Sequence, residues 1–99
     1  MAECRLTPAA LRDLENIWEY TAKQWSAAQA AFYIDKLNAC FDVLAQSPTA
    51  APTCDHIRPG YRRQLVEHHA VYYHIEDAKV IVVRVLHERM DAPRHLLPT

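Results

Sequence analysis

The stretch PGYRRQLVEHHAVYYHIEDAKVIVVRVLH, residues 59–87, decides the fold. Pro59-Gly60 is a turn signal, because proline presets φ at the first central position and glycine allows positive φ at the second. Beyond it the apolar period is two. Tyr61 to Glu67 reads as one strand, His69 to Ile75 as a second and Val80 to Leu86 as a third. In the second, Val71, Tyr73 and Ile75 share one face while Tyr72 and His74 share the other. Glu76-Asp77-Ala78-Lys79 is the hairpin turn between the second and third. The third strand is rich enough in Val and Ile to be placed centrally. Adjacent runs with tight turns predict a three-strand antiparallel meander.

Upstream the period is helical. Thr7-Pro8 is a start signal, since threonine caps well and proline at the first position lacks only an N–H that had no partner. Leu11, Leu14, Trp18, Thr21 and Trp25, with Ile17 beside them, form one stripe, and Asp13 falls among the polar positions. Ser26-Ala27-Ala28-Gln29 is a capping box that starts a second helix at once. Its apolar side carries Ala30, Tyr33, Ile34, Leu37, Cys40, Phe41 and Leu44. Ser47-Pro48 ends it, and residues 47–57 read as a connecting loop. The short link predicts an antiparallel helix hairpin. Glu3 to Leu6 alternates enough for a short first strand. Helices first and strands after give an α+β class rather than α/β.

Ninety-nine residues allow one domain, spanning 1–99, with one modest core. A hydrophobic share of 51% and a charged share of 23% exclude a disordered or low-complexity chain. A formal net charge of −1 disfavours binding to nucleic acid through phosphates. No direct sequence-specific nucleic-acid binding is expected. One glycine leaves no phosphate-cradling loop. Three cysteines without a C-x-x-C pattern predict reduced, metal-free thiols and a cytoplasmic setting. The residues after Met1 carry an acid and no apolar run, so no signal peptide is expected. No stretch is long and apolar enough to span a membrane.

All six histidines and seven of the eleven Lys and Arg lie in the C-terminal half. His68 and His69, read as strand neighbours, are expected on opposite faces, which argues against a shared metal. Cys54-x-His56 lacks a second ligand pair. Cys40 sits on an apolar stripe as a small core residue, and Cys54 is expected at the surface. Arg58, Arg62 and Arg63, followed by Arg84, His87, Arg89, Arg94 and His95, leave two chemistries open. Arginines with a histidine suit phosphoryl transition-state stabilisation and proton transfer in a metal-free ribonuclease. They equally suit a docking patch for an acidic partner.

Leu6-Thr7-Pro8-Ala9-Ala10, Asp13-Leu14, Ile17-Trp18-x-Tyr20-Thr21, Trp25 and Gln29-Ala30 resemble the N-terminal half of ParE toxins of the RelE/ParE superfamily. Cys54-Asp55-x-Ile57-Arg58-x-Gly60-Tyr61-Arg62, His69, Tyr73, Arg84-Val85-Leu86-His87 and Met90-Asp91 continue the resemblance, which runs from about residue 4 to 96. The family's usual Trp-Gly before the second helix is Trp25-Ser26 here. The resemblance implies a strand, a helix hairpin and an antiparallel sheet. It also implies the toxin of a type II toxin–antitoxin system, inhibiting DNA gyrase by binding rather than as an enzyme. A ParD-like antitoxin encoded beside it would form a hetero-oligomer with it. RelE-like relatives instead cut messenger RNA on the ribosome. They tend to be strongly basic, with lysines between helix and sheet and a tyrosine or histidine near the C-terminus. Here residues 48–60 contain no Lys and no Tyr follows Tyr73, although His87 and Arg89 keep that alternative open. A relic that only binds its antitoxin is the third reading.

No cofactor, metal or membrane partner is expected. The expected toxicity surface is Arg84, His87, Arg89, Asp91, Arg94 and His95, on the last strand and a polar tail anchored by Leu96-Leu97. Arg84 and Leu86 are placed on the face opposite the helices if Val83 and Val85 are core. The expected antitoxin surface comprises Trp18, Trp25, Tyr33, Arg62 and Tyr72. An amphipathic antitoxin helix along the helix hairpin, with an extended segment beside the sheet, is the expected mode.

Overall fold

The computed structural model describes residues 3–96. The elements run β1 (Glu3–Leu6), α1 (Pro8–Gln24), α2 (Ala27–Gln46), β2 (Arg62–Val66), β3 (His69–Glu76), β4 (Lys79–His87) and a short α3 (Ala92–His95). The sheet order is β1-β4-β3-β2, with β1 parallel to β4 and the other pairs antiparallel. The α+β meander behind a helix hairpin therefore forms, with β4 inside the sheet as its composition predicts.

Both helix starts follow the sequence signals. The Thr7 hydroxyl accepts from Ala10 N–H at 3.1 Å and the Ser26 hydroxyl from Gln29 N–H at 3.0 Å. Each satisfies a donor that has no partner inside the helix. The β3–β4 turn is two residues long, and Asp77 and Ala78 sit at φ of 51° and 63°. That is the positive-φ geometry whose twist matches a hairpin. Gly60, at φ 83°, closes the turn the sequence marks there, and its N–H donates to Asp55 Oδ1 at 2.9 Å.

The helices cover one sheet face. Ala10 and Ile17 of α1 and Leu37, Phe41 and Leu44 of α2 pack with Val71, Tyr73, Val80, Val82 and Val85. Tyr73 is fully buried and spends its hydroxyl on Pro48 O at 2.6 Å, which ties the loop after α2 to the sheet. The opposite face has its own small core of Cys54, Ala70, Tyr72, Leu86, Ala92 and Leu96. Loop 54–61 and α3 close over it, and Arg58 donates to Leu96 O. Cys54 is thus buried, not at the surface. The tail is likewise a packed strap, held by Ala92 and Leu96; Leu97 lies outside the described residues.

Two predicted faces are corrected. The buried stripe of α1 is Ala10, Asp13 and Ile17, while Leu11, Trp18 and Trp25 face solvent. The helix is turned because Asp13 finds full satisfaction at the sheet, so a carboxylate occupies the stripe. In β4 the alternation breaks. Tyr72 pairs with Arg84 but Tyr73 pairs with Val82, so Val83 is the extra residue of a bulge. Val82 and Val85 both enter the helix-side core, and Val83 packs with the opposite one. Leu86 lies opposite the helices as expected, but the guanidinium of Arg84 reaches α1.

Candidate functional site

β1 ends at Leu6, so the edge of β4 beyond Val82 needs another partner. Thr7 and Asp13 supply it. Thr7 N–H donates to Val82 O at 3.0 Å and its hydroxyl to Val83 O at 2.7 Å. Asp13 then accepts from Val85 N–H at 2.9 Å and takes the Arg84 guanidinium in two bonds, Nε to Oδ2 at 2.7 Å and Nη2 to Oδ1 at 2.8 Å. The Asp13 side chain is 10% exposed and that of Arg84 21%. The paired carboxylate holds Arg84 above its ordinary pKa. Arg84 also reaches His95 O at 3.4 Å, so one side chain links α1, β4 and the tail.

Past this pair a groove of about 910 Å³ opens between the two helices and the sheet. Ile17, Tyr20 and Trp25 come from α1 and its end, Phe32 and Tyr33 from α2. The sheet side carries His69, Val85 and His87, with Glu67 and His68 of the β2–β3 turn and Glu88, Arg89 and Met90 beyond β4. Lys36 closes one side on Glu67 at 2.8 Å.

Three imidazoles gather there. The rings of His69 and His87 meet edge to face at 5.2 Å, and His68 stacks on His87 at 6.3 Å. His68 lies in the turn before β3, so strand alternation does not separate it from His69 as the sequence suggested. The Tyr33 hydroxyl stands 2.5 Å from His69 Nδ1. Burial raises the Tyr33 pKa, which keeps its proton available to donate. Arg89 N–H donates to His87 Nδ1 at 3.1 Å. The last bond makes Nδ1 of His87 an acceptor, while the Tyr33 hydroxyl also lies 3.4 Å from Val66 O. Burial, then His87 and His68, push His69 down to about 4. Among the described residues no group of His, Cys, Asp and Glu is arranged to hold a metal ion.

A pH effect on stability follows. The unfolded chain takes up a proton at His69 near pH 6.5, whereas the folded chain does so only at about 4. The unfolded state thus binds more protons across that window, and stability falls as pH drops through it. Denaturant midpoints measured from pH 7 to pH 4 should decline, with a flatter decline in His69→Gln. Equal slopes for the two proteins would refute the assignment.

The sequence-based site residues separate in space. His87 and Arg89 line the groove, as do Trp25 and Tyr33. Trp18 is 42% exposed on α1. Asp91 starts α3, Arg94 and His95 are exposed on it, and Arg84 is committed to Asp13. Tyr72 is 4% exposed in the second core. Arg62 donates to Ala51 O at 2.6 Å and Thr49 O at 3.1 Å. The expected antitoxin surface leaves out Tyr20 and Phe32, both of which line the groove. The signal for Phe32 is a large aromatic out of phase with the buried stripe of its own helix.

A parallel β1–β4 edge, a helix hairpin on one sheet face and an open aromatic groove define a small α+β protein with a binding groove. Residues 4–92 match the family described as ParE toxin of type II toxin-antitoxin system, parDE. Toxin ParE1 of Mycobacterium tuberculosis H37Rv is 41% identical over 92 residues, covering 92% of this chain and 94% of that one. Toxin ParE1 of Caulobacter vibrioides is 36% identical over 96 residues, covering 97% and 99%. A solved structure titled chromosomal ParDE TA system from P. aeruginosa superposes with a TM-score of 0.79 at 16% identity, covering 88% of this chain and 96% of that one. That likeness concerns the fold alone. The chain belongs to the ParE toxin family of type II toxin–antitoxin systems. No helix among the described residues is long and apolar enough to cross a membrane.

Proposed function

We propose that this toxin binds DNA gyrase and stalls replication, and that a ParD-like antitoxin neutralises it by covering the groove in a hetero-oligomer. The observation that carries the antitoxin half is the rim of the groove. Tyr20, Trp25 and Phe32 stand 67%, 76% and 56% exposed there. Clustered aromatics in solvent are the anchors that partner surfaces use. The apolar face of an amphipathic helix suits them, with Trp18 extending the surface along α1. Tyr72 and Arg62 take no part, because their side chains are spent inside the chain.

The target half rests on family membership and on two exposed arginines beyond β4. Arg89 and Arg94 are exposed and in no ion pair among the described residues. Such a patch works by contact, without turnover, in the cytoplasm where gyrase acts. The Tyr33–His69–His87 cluster beside Arg89 supports one competing reading, an endoribonuclease with its acid–base groups in the groove. His87→Ala and Arg89→Ala separate the two. In a binding protein each weakens supercoiling inhibition by about 10-fold. Message cleavage by the unmodified toxin that His87→Ala cuts by about 10²–10⁴-fold would install the ribonuclease instead.

A further inference from the structure

We infer that Arg58 is a positioning residue for the target surface: from loop 54–61 it clasps the tail, so that Arg94 is presented on a fixed strap and gyrase inhibition depends on that clasp. The inference rests on the proposed gyrase reading and adds a residue that lies outside the antitoxin groove.

The strap cannot hold itself in place. α3 has four residues, its N-cap Asp91 makes no side-chain cap bond, and a helix so short is marginal in water. What seats it is the rest of the chain. Ala92 and Leu96 enter the second core with Cys54, Ala70, Tyr72 and Leu86. Arginines from two other elements then take the consecutive carbonyls at its end. Arg58 donates to Leu96 O, and Arg84 donates to His95 O at 3.4 Å. Arg84 already gives two bonds to Asp13 and its bond to the tail is long. Arg58 is therefore the main clasp.

The clasp stands on a rigid base. Cys54 N–H donates to Tyr61 O at 2.8 Å, and the N–H groups of Ile57 and Arg58 donate to Cys54 O at 2.9 and 3.0 Å. These bonds close loop 54–61 on itself. The Arg58 guanidinium lies over the Tyr61 ring, 5.2 Å from its centroid, and Tyr61 stacks on His74 of β3 at 5.3 Å. The planar fork is thus aimed at the tail before any partner arrives. Arg58 is in no ion pair among the described residues. Arg94 is exposed on the strap so held. A loose strap would have to be ordered on binding, at a cost in affinity that the clasp removes.

Arg58→Ala tests this with two readouts on one preparation. Cys54 is 1% exposed in the core that α3 closes. Its labelling by a maleimide, located by peptide mass mapping, reports whether the strap has lifted, and should be about 10-fold faster in the variant. Inhibition of gyrase supercoiling should weaken by about 10-fold, with affinity for the antitoxin encoded beside the toxin unchanged. Arg94→Ala should itself cost about 10-fold. Adding it to Arg58→Ala should cost little more, because Arg58 acts through Arg94. Cys54 protection that survives Arg58→Ala would overturn the clasp. Full inhibition by a variant whose Cys54 has become reactive, or additive losses in the double variant, would overturn the positioning role and leave the gyrase reading intact. Loss of antitoxin binding together with inhibition would mean that Arg58 holds the whole fold, which also overturns the inference. An unmodified toxin that leaves gyrase untouched would overturn the gyrase reading and the role of Arg58 in it, while Cys54 labelling still judges the clasp.

Discussion

Asp13→Ala should destabilise the toxin by about 3 kcal/mol, read as a fall in denaturant midpoint at unchanged slope. The substitution strips Arg84 of both carboxylate bonds and leaves its guanidinium in a site where little water reaches. It also removes the acceptor for Val85 N–H, at the point where β1 no longer pairs with β4. A buried donor without a partner adds a cost of its own. Removing Arg84 as well should recover part of the loss, because the uncompensated charge goes with it; a coupling of about 1–3 kcal/mol is expected from the double-mutant cycle. A loss below about 1 kcal/mol for Asp13→Ala would mean that the pair behaves as a surface salt bridge and does not organise the edge.

The second large effect is on binding. The double substitution Trp25→Glu with Phe32→Glu should weaken the antitoxin complex by about 100-fold or more, since aromatic anchors at an interface each cost about 2 kcal/mol or more on loss. The fold should hardly notice. Both side chains stand more than half exposed and neither belongs to either core. Thermal midpoint and calorimetry on one preparation check both statements. An unchanged affinity with the fold intact would move the antitoxin surface away from the groove.

Most of the fold was legible because its signals are local. Thr7, Ser26, Pro59-Gly60 and the change of apolar period act within a few residues of themselves. The errors arose where a distant residue decides. Asp13 reads as a solvent position on a helical wheel, and only Arg84, far along the chain, makes it a buried one. The β4 bulge carries Val83 to the face opposite the helices while Val85 stays in the helix-side core, and no glycine marks it. The histidine cluster was half visible. His68, His69 and His87 were all singled out, but their meeting depends on His68 lying in the hairpin turn and on Tyr33 descending from α2. Trp18, Tyr20 and Trp25 are legible in the sequence as large side chains in excess of one thin core, whereas Phe32 is not. Tyr72 and Arg62 look available because sequence does not tell that loop 54–61 and α3 close over Tyr72 and that the carbonyls of Thr49 and Ala51 take up Arg62.

DNA supercoiling by purified gyrase, titrated with purified toxin, tests the central claim most directly. The account expects dose-dependent inhibition with accumulation of cleaved DNA, relief by the antitoxin at equimolar amounts, and intact message when the same toxin meets translating ribosomes. Undisturbed supercoiling at saturating toxin, together with ribosome-bound message cut by that toxin, would contradict it.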